Sequence, residues 1–130
     1  MLEIAALLVT ALLFGGMVLY SFGLAPFLFS ALPAEAAGPA IRKAFPHFYL
    51  FVIGAGAAAA LLLWPVEPAA AAMAGLIAAT TVPTRQVLMP AINAATDAGE
   101  KRRFAWLHGL SVAITLAHIG LAGWALTRLI

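Results

Sequence analysis

Between Phe104 and Thr127 the chain runs for 24 residues without a charged side chain, and few folds accommodate such a run. At about 1.5 Å of rise per residue, a helix of this length covers a hydrocarbon layer about 30 Å thick with some tilt. Its polar residues are not scattered. On a helical wheel His108, Ser111, Thr115 and His118 fall, with Ala122, within an arc of about 80°. Hydrocarbon offers such side chains no partner, so this polar seam is expected to face protein.

The rest of the chain fits the same setting. It is 65% hydrophobic and 9% charged, with a mean hydropathy of +1.05, whereas soluble domains average about 45–50% apolar and 25% charged. A length of 130 residues leaves room for about four spans of ~20 residues and no soluble domain. The expected fold is therefore all-α, an integral membrane four-helix bundle. Cysteine is absent, which excludes disulfides, iron–sulfur clusters and thiolate metal sites. Seven Lys/Arg against five Asp/Glu give a small positive excess. The bases sit beside the expected spans, which points to membrane topology rather than nucleic acid. The opening MLEIAALLVTALLF lacks the basic start of a signal peptide and carries Glu3, so it reads as a permanent span.

Hydropathy and helix breakers place the spans at about residues 4–22, 48–64, 69–93 and 104–127. Gly15, Gly16 and Gly23 on the first span, and Gly54 and Gly56 on the second, form small-residue faces suited to close helix packing. Between these spans the prolines at 33, 39 and 46 divide the chain into short pieces, and Ile41, Ala44 and Phe45 lie beside Arg42 and Lys43. A bent elbow in the headgroup layer is expected there. The third span is expected to kink at Pro83 and Pro90. With four spans, Arg42, Lys43, Arg85, Lys101, Arg102 and Arg103 share one side and only Arg128 the other. Both termini should then lie on the non-cytoplasmic side, with the bacterial inner membrane as the expected location. Trp64 and Trp124 at one level, with Tyr20, Tyr49 and Trp106 at the other, read as interfacial belts.

Candidate chemistry is sparse. His47 and His108 both open spans on the base-rich side and could together supply two imidazoles to a haem or a copper ion. His118 lies about 15 Å further along the last span. Thr81, Arg85, Met89 and Asn93 recur every four residues, and Arg85 with Gln86 and Asn93 could form an anion pocket near His108. Every acidic residue is terminal or in a connection, which leaves His118 as the one ionisable group at depth. No hydrolase or phosphoryl-transfer motif occurs, so neither an enzyme nor a resident cofactor is expected.

Three segments carry a family likeness: GGMVLYSFGLAPFLFSALPAEAAGPAIRKAFPHFYLF, RQVLMPAINAATDAG and FAWLHGLSVAI. Together they resemble the transmembrane protein 205-like family of small four-span proteins. The likeness rests on Pro26-Phe27 with Phe29 and Leu32, on Ala44-Phe45-Pro46 with Tyr49, on Pro90 to Asn93, and on Leu107-His108 with Ser111. It implies a four-helix membrane fold and supplies no reaction or ligand. The leading functional expectation is a structural or accessory subunit that associates in the bilayer with itself or with other membrane-protein subunits. The alternatives are a small-solute or ion transporter using the His108/Ser111/Thr115/His118 seam, and a haem- or copper-binding protein using His47 and His108.

Overall fold

Four helices joined by short connections make up the computed structural model, which describes residues 1–130 and contains no strand. They are α1 (Leu2–Ala31), α2 (Ala34–Leu63), α3 (68–97) and α4 (Lys101–Thr127). Each packs on its two neighbours in a ring, α1 on α2, α2 on α3, α3 on α4 and α4 back on α1. Helices in such a ring alternate in direction, and two ion pairs mark its ends. Arg42 reaches Asp97 at 2.9 Å at the base-rich end, and Arg128 reaches Glu67 at 3.7 Å at the other. The α3–α4 connection turns at Gly99, whose φ of 69° only glycine adopts without strain.

Three helices, α1, α2 and α4, are long and apolar enough to cross a membrane. The third is as long but carries Thr80, Thr81, Thr84, Arg85, Gln86 and Asn93, and it does not reach the same hydropathy.

The elbow expected between the first two spans is not there. α1 continues to Ala31 and α2 begins at Ala34, so the connection is Leu32-Pro33 alone. The expected first span thus gains nine residues at its end, and the second gains a preceding stretch from Ala34. The physical reason lies in how the prolines are absorbed. A proline lacks the backbone donor, and its ring pushes on the carbonyl four residues back, which for Pro26 belongs to Phe22. The wider π-helical turn Leu19–Leu24 takes up that displacement. The same device recurs in α3, where the π-helical Thr84–Leu88 ends two residues before Pro90 and contains Gln86, the residue four back. Pro39 and Pro46 lie within continuous α-helix, and the Pro46 carbonyl accepts a hydrogen bond from Arg85 Nε at 3.2 Å.

The core divides along the bundle. At the end away from the bases, Ala6, Ala59, Leu63, Ala70, Ala71, Ala74 and Ala125 form one buried cluster. Toward the middle, Leu13, Met17, Phe48, Tyr49, Val52, Ile77 and Ala122 form a second, with much larger side chains. Tyr20 and Tyr49 belong to this interior, not to an interfacial belt. Tyr20 stacks on Phe48 with ring centroids 4.5 Å apart and donates to the Ala44 carbonyl at 2.7 Å. Trp64 and Trp106 do lie on the outside. Of the five small-residue positions, Gly56 packs against Ala74 and Ala78, and Gly16 lies under the Phe51 ring. Gly15 and Gly54 have nothing within 4 Å, and Gly23 meets only Leu19 of its own helix.

Candidate functional site

Below the aromatic layer the helices part. The first half of α1, Leu2–Val18, packs on α4, but beyond its π turn the closing segment Ala25–Ala31 leans on α2 instead. The space left between α1 and α4 is a cavity of about 370 Å³ walled by all four helices. α1 contributes Ser21, Phe22, Pro26 and Phe29, and α2 contributes Ile41, Arg42, Phe45 and Tyr49. α3 adds Met89, Ile92 and Asn93, and α4 adds His108, Ser111, Val112, Thr115 and Leu116.

Both π turns border this cavity. Ser21 and Phe22 lie inside the first, and Met89 directly follows the second. A π turn opens a helix by about one residue and re-aims the side chains beyond it, and such turns recur at functional sites.

The polar groups of the wall stand at two depths. Arg42, Asn93 and His108 lie toward the base-rich mouth, whereas Tyr49 and Thr115 stand deeper, each about 21–22 Å from the mouth-side start of its helix. Tyr49 is 6% exposed, and no side-chain nitrogen or oxygen of the protein is sealed away without a partner. Its hydroxyl makes no hydrogen bond to protein and therefore opens onto the cavity. Ser111 is buried and donates to the His108 carbonyl at 2.7 Å, which spends its proton within α4. His108 is exposed along the cavity edge, and its ring stacks on Phe104 at 5.3 Å.

The seam on α4 thus divides. His108, Ser111 and Thr115 line the cavity, and His118, further along the helix at one edge of the same arc, bonds to α3. There His118 is buried, with Nε2 2.8 Å from Thr80 Oγ1. Thr80 Oγ1 also lies 2.7 Å from the Leu76 carbonyl. With the single Thr80 proton given to that carbonyl, His118 donates from Nε2.

Arg85 is not brought to His108. It joins α3 to α2 through Pro46 and holds the Gln86 side-chain oxygen at 2.8 Å. Asn93 lines the cavity, and its backbone carbonyl accepts from Arg42 Nη2 at 3.0 Å. His47 is exposed on α2 and is absent from the wall that carries His108. It sits about 160–200° around the helix from Phe45 and Tyr49, so the two histidines do not share a site. The protein holds no group of three His, Cys, Asp or Glu side chains placed to bind a metal ion.

Arg42, Tyr49 and Ser21 are wall residues that the sequence reading passes over. For Arg42 and Tyr49 the signal is helical spacing: Arg42, Phe45 and Tyr49 recur at i, i+3 and i+7, as do Phe22, Pro26 and Phe29, beside Ser21, at i, i+4 and i+7. Taking the prolines as helix ends hides both rows.

An all-helical protein with three membrane-length apolar helices, and a cavity where its helices part, is the class defined here. The chain belongs to the family described as a domain of unknown function, DUF4149, whose model matches residues 8–101. The matched stretch covers most of α1, with α2, α3 and the connection to α4. No curated protein and no solved structure matches the chain.

Proposed function

We propose that this is a four-span membrane protein that holds a small amphiphilic molecule in the cavity between its helices. One observation carries the reading: Tyr49 is a buried residue whose hydroxyl, without a protein partner, opens into an otherwise largely apolar cavity walled by all four helices. Ligand sites combine an apolar lining with a few convergent polar groups in this way. The reading keeps the seam residues His108, Ser111 and Thr115 in the working part and leaves His118 as a helix-to-helix contact.

In this reading α3 crosses as well. Its polar stretch is partly covered by the bundle, since Thr81 and Thr84 are buried and Arg85 is bonded to α2, and its exposed Thr80 and Gln86 are bonded to His118 and Arg85. With six bases at its cavity end, the protein in this reading turns that end to the cytoplasm and both termini to the opposite side of a bacterial inner membrane. The motif likeness to the transmembrane protein 205-like proteins agrees with four crossings.

The test is photolabelling in nanodiscs with a diazirine-bearing alkyl alcohol. Labels are expected on Phe22, Val112 and Leu116, with a several-fold loss when Val112→Trp fills the space. Even labelling of Leu8, Leu61 and Leu110, which are exposed but line no part of the cavity, with no effect of Val112→Trp, would sink the reading.

A second reading, an accessory subunit docking to itself or to a larger complex, is favoured by a different surface. Gly109, Ala113 and Gly120 share one exposed face of α4, and neither glycine has an atom within 4 Å of its would-be Cβ. Small residues at this spacing let membrane helices approach closely. Gly109→Leu should abolish a co-migrating species on gentle solubilisation if that face docks.

A further inference from the structure

Arg42 is the one guanidinium in the cavity wall. Both of its hydrogen bonds leave from Nη2, to Asp97 Oδ1 at 2.9 Å and to the Asn93 carbonyl at 3.0 Å. A guanidinium presents five N–H donors in a planar fork, and here Nε and Nη1 make no bond to protein. Asp97 itself is exposed and is not part of the wall. The side chain is therefore held by one edge, through Asp97 outside the cavity and the backbone of Asn93 in its wall, with spare donors on a residue that lines it.

We propose that the cavity takes a single-chain carboxylate amphiphile of the fatty-acid type, with its head on the free edge of Arg42 and its chain directed toward Tyr49. The proposal rests on the reading of the cavity as a ligand site. Three observations select this chemistry. The present partner of Arg42 is already a carboxylate, which shows what the fork accepts at this position, and planar carboxylates match it two oxygens at a time. The cavity, at about 370 Å³, lies near the lower end of the ~300–1,000 Å³ typical of ligand sites, which suits one chain rather than two. Phe22 and Phe29 of α1, with Val112 and Leu116 of α4, are exposed along the gap where those helices part, so a chain can enter sideways from lipid. Lys43 and Arg102 are exposed bases outside the wall of this cavity. In this scheme Asp97 stays on Nη2 and offsets part of the guanidinium charge that a ligand carboxylate meets on the free edge.

The experiment compares a diazirine-bearing fatty acid with the alcohol of the same chain, using the full chain in nanodiscs of zwitterionic lipid above pH 8. The acid should label the cavity at about tenfold lower concentration than the alcohol, the worth of a charge-assisted bond. Arg42→Gln should bring the two within about twofold, and Asp97→Asn, which leaves Arg42 in place, should strengthen acid labelling several-fold. Equal labelling by acid and alcohol overturns the carboxylate proposal while leaving the cavity reading standing. Labelling by neither overturns both. A preference for acid that survives Arg42→Gln, or that Asp97→Asn does not strengthen, places the anion elsewhere and also overturns the proposal.

Discussion

The two ends of the bundle are built from the same four helices and differ in what stands between them. Away from the bases, alanines at 6, 59, 70, 71, 74 and 125 fill the interior, and Gly56 lets the α3 backbone close to within van der Waals range. Toward the bases, phenylalanine, tyrosine and methionine take over, two π turns re-aim the helices, and a cavity appears. Lipid tails are as apolar as the side chains, so helices in a bilayer gain little from burial itself and associate through close fit. The alanine end supplies that fit. It holds the ring together while the other end stays open.

Substitutions can break this contrast in graded steps. Gly56→Leu should have the largest effect, because its Cβ would stand 3.1–3.3 Å from Ala78 and the Ala74 carbonyl. It should cost about 3 kcal/mol as overpacking forces α2 and α3 apart. Thermal unfolding in detergent would show it, and an unchanged midpoint would mean that the alanine end is not the clamp. Arg85→Ala releases the Pro46 carbonyl and should cost about 1 kcal/mol, read the same way. His118→Leu should cost roughly 0.6 kcal/mol, the usual worth of one interhelical hydrogen bond in a membrane, and should leave labelling of the cavity unchanged. Loss of labelling in that variant would join His118 to the site. Gly54→Ala meets nothing within 4 Å and should leave stability unchanged within about 0.5 kcal/mol.

Periodicity and composition carried the all-helical class and the burial of Ser111 and His118, since both depend only on which side chains hydrocarbon refuses. The limits of the helices were hidden by proline. A sequence shows that Pro26, Pro39, Pro46 and Pro90 lack a donor, but not that a wider turn absorbs Pro26 and Pro90 or that the helix runs on through Pro39 and Pro46. Taking each proline as a helix end shortens α1 and α2 and makes Arg42 a headgroup residue instead of a wall residue. His47 shows the complementary limit. Its depth could be read from the sequence, but the face it occupies depends on where α2 begins and on which residues of that helix turn inward.

The π turn in α1 also has a bearing on phase. Before it, Ala6, Thr10, Leu13 and Met17 are the buried residues of α1. Continued at 3.6 residues per turn, that row would pass near Ser21, Leu24 and Leu28, whereas the residues of α1 that line the cavity are Ser21, Phe22, Ala25, Pro26 and Phe29, centred about one position later. The helix has slipped by about one position. Removing a single residue between Leu19 and Leu24 would therefore hardly shorten the span, but it would rotate the whole following segment by about 100° and turn a different set of side chains toward α4.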